Sequence, residues 1–243
     1  MRCSPLPLLV LACALPWTAL AAEVGVAPAT RKLLPDTAFP CETAAQLLAA
    51  KGEWEGFQIA VRDPGGLAAV DVELSDLTGP DGAVIAAAEA RLYREFFLDV
   101  TNASDFGVSL HERVEGLYSD PLIPFDDPYG DGEVGAPFDL EPGELGVVWV
   151  DLHVPHDAEP GDYTGTATVL VDGVADTELP VTLRVWAFEI PAERTIGTAF
   201  GHSDSGVRKF HGGTGAEAED GYDDIVDRYY LALHEHRIDP TTV

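Results

Sequence analysis

Hydrophobic and polar positions alternate along residues 146–171 and predict two β-strands joined by a short loop. The apolar face of the first strand comprises Val148, Val150, Leu152 and Val154, and the opposite face carries Trp149, Asp151 and His153. Pro155 ends this strand because proline has no N–H for a strand ladder, and Pro160 with Gly161 turns the chain. Asp172-Gly173 is a hairpin signal, so we expect a third strand over about 177–186.

Three further segments are predicted to be strands, and the first of them shows the same two-residue period. They are residues 54–62, 70–74 and 90–100, with turn-forming glycine, proline and aspartate between them. Residues 46–50 are apolar and fit either a helix or a strand. Short strands separated by turns, without alternating helices, predict an all-β fold: an antiparallel β-sandwich of the Ig-like or jelly-roll-like kind.

The last fifty residues have a different pattern. Residues 195–200 read as one short strand, 201–221 as a glycine-rich loop, and 222–237 as a helix that Pro240 ends. The helix has one apolar stripe, formed by Tyr222, Ile225, Val226, Tyr229, Tyr230 and Leu233. This order predicts a single βα unit of an incomplete (β/α)₈ barrel, because eight such units are needed to close one.

Several short motifs resemble the N-terminal β-sandwich of family 123 glycoside hydrolases and of their uncharacterised relatives, domain of unknown function 4091. The motifs are the WVD-x-x-VP segment at 149–155, PG-x-Y-x-G at 160–165, EWEGFQ at 53–58, YSDPLIP at 118–124 and FEIP at 188–191. The resemblance implies a catalytic barrel after the sandwich, and a mechanism in which the acetamido group of N-acetylgalactosamine attacks with the help of an Asp-Glu pair. No such adjacent pair stands at a barrel strand end in this chain.

Residues 1–22 have the pattern of a secretory signal peptide. Arg2 precedes an apolar run from Leu6 to Leu15, and Ala19-Leu20-Ala21 is a small-x-small cleavage site, so we expect cleavage after Ala21 or Ala22. Lipoprotein anchoring at Cys13 is the weaker alternative because the apolar run continues past it. The predicted organisation is therefore a signal peptide (1–22), a sandwich (23–190) and the truncated start of a barrel-like domain (191–243), exported to the periplasm or beyond.

The net charge of −28 restricts the class of partner. Signal cleavage removes Arg2 and no acid, which makes the charge −29. Such a chain repels phosphate backbones and anionic lipid surfaces, so we expect no nucleic-acid partner and no membrane partner after cleavage. Cys41 is the one cysteine of three outside the signal segment, and a buried thiol is the favoured interpretation.

Residues 101–144, rich in Pro, Gly and Asp, are predicted to form one long loop, and this loop holds the candidate ligand-binding residues. Tyr118 and Tyr129 are weak candidates for stacking on a sugar, whereas Trp149 and Trp186 lie inside predicted strands, which favours core packing. Asp127, Asp131 and Glu133 are weak candidates for calcium ligands, although their spacing does not fit the EF-hand loop, and we expect no other cofactor.

The histidines are interpreted as surface residues. His234 and His236 are two positions apart on the predicted helix, so they do not share a face as a zinc site would require.

We therefore expect a non-catalytic sandwich that supports a missing catalytic barrel acting on glycans, without hydrolase activity of its own. The alternative is a free-standing module that binds carbohydrate or a cell surface, in a calcium-dependent form if the acidic loop binds the ion.

Overall fold

Two packed β-sheets form most of the protein in the computed structural model, which describes residues 22–101, 115–127, 132, 134–211 and 222–242. The strands are β1 (Glu23–Pro28), β2 (Ala45–Lys51), β3 (Trp54–Arg62), β4 (Leu67–Leu74), β5 (Leu77–Thr78), β6 (Val84–Ile85), β7 (Ala90–Val100), β8 (Gly116–Pro124), β9 (Phe138–Leu140), β10 (Gly146–His153), β11 (Gly161–Val171), β12 (Val174–Glu189), β13 (Phe200–His202) and β14 (Pro240–Thr242). The helices are α1 (Asp204–Phe210) and α2 (Tyr222–Glu235).

The first sheet has the strand order β1-β3-β10-β7-β8, and all of its pairs are antiparallel. The second sheet has the order β2-β12-β11-β4-β9, with the β5–β6 hairpin beside β11. Its pairs are antiparallel except for β2 with β12, which run parallel. The predicted antiparallel β-sandwich is confirmed, and the ambiguous segment at 46–50 is a strand.

Apolar side chains from the facing sheets form the core between them. Val148, Val150 and Leu152 of β10 are fully buried, as the alternation predicted. Opposite them, β11 contributes Tyr163 and Val169, which are 1% and 0% exposed. Burial of each such side chain stabilises the fold by about 1.5–3 kcal/mol, so these two strands contribute a large part of the stability.

The hairpin between β11 and β12 forms at Asp172-Gly173. Both residues have positive φ, 51° and 72°, as a two-residue type I′ turn requires. The predicted third strand at 177–186 is longer than expected and spans β12 from Val174 to Glu189.

A second, smaller apolar cluster covers part of the outer face of the first sheet. It comprises Ala27, Leu33, Ala60 and Val147. The chain after β1 lies over this face, and the buried Gln58 amide donates hydrogen bonds of 2.8 Å to the carbonyl oxygens of Pro28 and Arg31. These bonds compensate for the loss of water at a buried amide.

The segment after β12 differs from its prediction in three ways. The strand lies at Phe200–His202, not at 195–200. The predicted loop at 201–221 contains α1, whose first turn is capped by the Ser203 hydroxyl accepting from the Gly206 N–H at 3.2 Å. Its remainder, 212–221, lies outside the described residues. The second strand β14 pairs parallel to β13, so the unit is βαβ rather than βα.

The predicted α2 is confirmed, and it ends at Glu235. Within the described part of the chain, no helix combines the length and apolar character needed to cross a bilayer.

Candidate functional site

The outer face of the first sheet meets the end of α2, and this contact brings together charged and aromatic side chains. Trp54 begins β3 and is paired in register with His153 of β10. Asp151, two residues earlier on β10, is paired with Arg91 of β7. Side chains two residues apart on one strand point to the same face, so these neighbouring strands place their polar groups side by side. We call Trp54, Arg91, Asp151, His153, Glu235 and His236 the junction cluster.

The Trp54 indole is the centre of the junction cluster. The ring centroid of His236 lies 4.9 Å from it with planes inclined by 28°, and that of His153 lies 4.9 Å away at 38°. The guanidinium carbon of Arg91 lies 4.8 Å from the indole centroid, within the range of a cation–π contact. The Trp54 side chain therefore contacts two imidazoles and one guanidinium. One of these groups, His236, belongs to the C-terminal segment, the part of the chain after β12.

Two polar contacts connect the C-terminal segment to the sheet. Nε2 of His236 lies 2.8 Å from Oδ2 of Asp151. Nη1 of Arg91 donates to Oε2 of Glu235 at 2.7 Å. Sequence separations of 85 and 144 residues make both of them tertiary contacts rather than local ones.

These contacts shift the protonation equilibria in the cluster. The hydrogen bond with Asp151 raises the pKa of His236 above its ordinary value, and this effect outweighs the opposing effect of partial burial. The hydrogen bond with Glu235 raises the pKa of Arg91. Partial burial is the main cause of the raised pKa of Glu55, with repulsion from Glu53 and Asp151 adding to it.

Two cavities lie beside the junction cluster. The larger, of about 700 Å³, opens between the sheets and α2, and the smaller has about 350 Å³. Both volumes are within the range of ligand pockets, roughly 300–1,000 Å³. The carboxylates of the smaller cavity are Glu89 and Glu235. Oε2 of Glu89 lies 2.7 Å from Nδ1 of His153, and Glu235 is paired with Arg91, so each has a cationic or hydrogen-bonding partner.

Of the two predicted sugar-binding tyrosines, Tyr118 lies outside the junction cluster. Tyr118 lies on β8, the edge strand of the first sheet, where it is half-buried and paired in register with Leu98. Tyr129 lies outside the described residues. The sugar-binding role of the two tyrosines therefore stays a prediction.

The predicted calcium ligands are described only in part. The backbone N–H of Asp127 donates to the carbonyl of Gly132 at 2.7 Å, and Asp131 and Glu133 lie outside the described residues. Among the residues that the structure does describe, no three or more histidine, cysteine, aspartate or glutamate side chains are grouped to hold a metal ion.

Four expectations from the sequence are wrong. The predicted loop 101–144 contains the strands β8 and β9. Trp186 is 40% exposed because it points away from the second sheet rather than into the core. Cys41 is exposed rather than buried. His236 is not a solvated surface histidine, since it bonds Asp151 and stacks on Trp54.

A local signal for the junction cluster was present in the sequence. The outward positions 149, 151 and 153 combine tryptophan, aspartate and histidine on one strand face.

This chain matches one family model and resembles several solved structures. A family model described as Glycoside hydrolase 123 N-terminal domain matches residues 31–171. A family 123 glycoside hydrolase from Clostridium perfringens, described for glycolipid glycan hydrolysis, is 14% identical with a TM-score of 0.68. The match covers 88% of this chain and 36% of that one, so this chain spans about a third of that enzyme's length.

A second solved structure resembles this chain only weakly. The sporulation control protein Spo0M from Bacillus subtilis is 12% identical over 72% of this chain and 51% of its own, with a TM-score of 0.31. No protein with a curated description matches the sequence significantly.

Proposed function

This chain belongs to the family of glycoside hydrolase 123 N-terminal domains, and from that premise we propose that it supplies the non-catalytic sandwich of an exported glycoside-hydrolase-related protein. Its role is to hold a following barrel-like domain in place while that domain acts on a glycan. The junction cluster is the observation that supports this role most directly, because there the sandwich contacts the segment that follows it.

Two further hydrogen bonds involve the C-terminal segment. The N–H of Ile190 donates to the carbonyl of Lys51 at 2.9 Å, which fixes the chain where it leaves β12. The Arg237 guanidinium, just after α2, donates to the carbonyl of Pro191 at 2.8 Å. The first bond, with the junction cluster, joins the segment to the sandwich, and the second joins the end of α2 to the start of the segment.

The carboxylates near the cavities support a non-catalytic role. Glycoside hydrolysis generally uses one protonated and one ionised carboxyl group across the sugar. Glu89 and Glu235 line the smaller cavity, but one is paired with His153 and the other with Arg91. Both carboxylates of the smaller cavity are therefore engaged by other side chains of this protein.

Export and a glycan partner complete the proposal. The predicted signal peptide at 1–22 directs the chain to the periplasm or the extracellular space. The net charge of −28 favours a neutral polysaccharide or oligosaccharide over a polyanion. The sugar is bound by the barrel-like domain that follows.

Turnover of aryl glycosides tests the non-catalytic role. We expect the purified chain to release no aryl alcohol from aryl N-acetylgalactosaminide or from other aryl glycosides. Hydrolysis above the rate of a buffer blank, retained after a further purification step, would overturn the proposal.

A further inference from the structure

The imidazole of His236 lies between two hydrogen-bond acceptors. Nε2 lies 2.8 Å from Oδ2 of Asp151 on β10, and Nδ1 lies 2.9 Å from the carbonyl oxygen of Ala232 in the last turn of α2. A backbone carbonyl has no proton to donate, and an ionised carboxylate has none either.

A neutral imidazole carries one N–H and therefore satisfies one of these two contacts. In the other contact, a nitrogen lone pair would face an oxygen lone pair at less than 3 Å. An imidazolium donates to both acceptors. We propose that protonated His236 is a latch that holds α2 on the sandwich. When the imidazole loses its proton, one of its two hydrogen bonds is lost and the docking of α2 weakens. This inference rests on the proposed supporting role of the sandwich.

Two features of the site favour the positive charge. The His236 ring stacks on the Trp54 indole, and an aromatic face attracts a cation. His236 also follows the last residue of α2, where the unpaired carbonyl groups of the helix end favour a positive charge. The Asp151 carboxylate adds a full negative charge, and its side chain is only 13% exposed, which limits screening by solvent.

The other charged groups near His236 do not cancel this preference. Arg91, from β7, opposes the second positive charge, but it is paired with Glu235 of α2. His153, which also contacts the Trp54 ring, is paired with Glu89. From β3, the Glu55 carboxyl lies near enough to Asp151 for the two to repel each other.

The direction of the pH effect follows from linkage. The pKa of His236 is raised in the docked state, chiefly by its hydrogen bond with Asp151. The contribution of the latch is complete below the ordinary histidine pKa of about 6.5 and is lost as the pH rises through the docked-state pKa. Between these two values, docking weakens by up to about tenfold per pH unit, the limit for one proton.

Two measurements on the purified full chain test the latch. Nitrogen-15 NMR of the histidine rings reports whether both nitrogens of His236 carry protons at pH 6. Hydrogen exchange of the α2 amides between pH 5 and pH 9, corrected for intrinsic exchange, reports docking. We expect two protonated nitrogens and a loss of α2 protection with rising pH.

Two variants separate the latch from other effects. His236→Gln keeps a neutral donor toward Asp151, so α2 should be protected to the same extent at all pH values. His156→Gln is the matched control, because His156 lies in the loop after β10 with its side chain 48% exposed, and it should retain the wild-type profile.

The outcomes are distinct. A single protonated nitrogen at pH 6, or protection of α2 that does not vary with pH in the wild type, overturns the latch and leaves the supporting role in place. An α2 helix unprotected at every pH contradicts the supporting role itself. If the His156→Gln chain loses the pH dependence of α2 protection, that dependence arises from His156 and not from His236, and the latch is overturned.

Discussion

The indole of Trp54 and the imidazole of His236 stack with their centroids 4.9 Å apart and their planes inclined by 28°. The first side chain begins a strand of the sandwich, and the second follows the last helix of the chain. Their contact joins the domain that the family model matches to the segment beyond it. The role of the sandwich as a support can therefore be tested at one residue pair.

Truncation of Trp54 should release the C-terminal segment while leaving the sandwich folded. Trp54→Ala removes the stacking on His236, which is worth about 0.5–1.5 kcal/mol, and also a contact with Arg91 that lies within the sandwich. Hydrogen exchange should show protection of α2 falling by about two- to tenfold, since 1.4 kcal/mol corresponds to a factor of ten. The amides of β10 and β11 should exchange as in the wild type.

Trp186→Ala is the matched control for this prediction. Trp186 is 40% exposed on the outer face of the second sheet, away from the junction cluster. Its truncation should leave α2 protection unchanged. Equal effects of the two substitutions would show that Trp54 has no special part in docking.

The core between the sheets should tolerate truncation poorly. Leu152 is fully buried, and Leu152→Ala leaves a cavity that costs about 2–5 kcal/mol of the free energy of unfolding. Leu48 has the same side chain at 61% exposure, so Leu48→Ala should change that free energy by no more than about 0.5 kcal/mol. Urea unfolding monitored by circular dichroism measures both, and similar midpoints would refute the assignment of the core.

Processing should leave Ala22 as the first residue of the exported protein. The Ala22 N–H donates to Oδ2 of Asp176 at 3.2 Å, and Ala22 is 8% exposed within the core cluster. After cleavage behind Ala21, the new ammonium group would face the Asp176 carboxylate and form an ion pair. Intact-mass analysis of the exported chain identifies the first residue directly, and a chain beginning at Glu23 would contradict the prediction.

Asp176→Asn tests the ion pair in the same mature protein. The substitution removes the carboxylate charge but keeps a hydrogen-bond acceptor, so the melting temperature should fall slightly at low salt and less at high salt. A drop that does not depend on salt would argue against an ion pair.

Glu95 should make the protein less stable as the pH rises above the ordinary glutamate pKa. Its side chain is 7% exposed, and burial raises its pKa despite the hydrogen bond with Ser119 and the nearby Lys32. A carboxyl group with a raised folded-state pKa binds its proton more tightly in the folded state. Stability is therefore lost between the unfolded-state pKa, about 4.3, and the folded-state pKa.

Glu95→Gln should remove this part of the pH dependence. Urea unfolding between pH 4 and pH 8 should give a flatter profile for the variant than for the wild type. Glu73→Gln, at an exposed position of β4, is the control and should follow the wild type. Parallel profiles for wild type and Glu95→Gln would show that Glu95 is ionised in both states over this range.

Much of the sandwich could be predicted from the sequence because its signals are local. Residues 54–62 were assigned as a strand with the bounds that β3 has in the structure. Asp172-Gly173 predicted the hairpin because few dipeptides accept positive φ at both positions. The alternation at Val148, Val150 and Leu152 indicated which face of β10 is buried. The helix α1 was missed because its seven residues give too short a pattern to distinguish it from a loop.

The sequence alone determined the strands β3, β7, β10 and β11 and the inward face of β10, since these depend on residues one to four positions apart. It did not determine β8 and β9, which lie in the predicted loop 101–144. Only the tertiary structure decided what covers the outward faces: a loop with its own apolar cluster over Gln58, solvent over Trp186, and α2 over Trp54. The same two-residue period describes all three cases, because a strand pattern records the side on which a residue lies and not what lies against it. That depends on strand order and on contacts such as His236 with Asp151, whose partners are 85 residues apart.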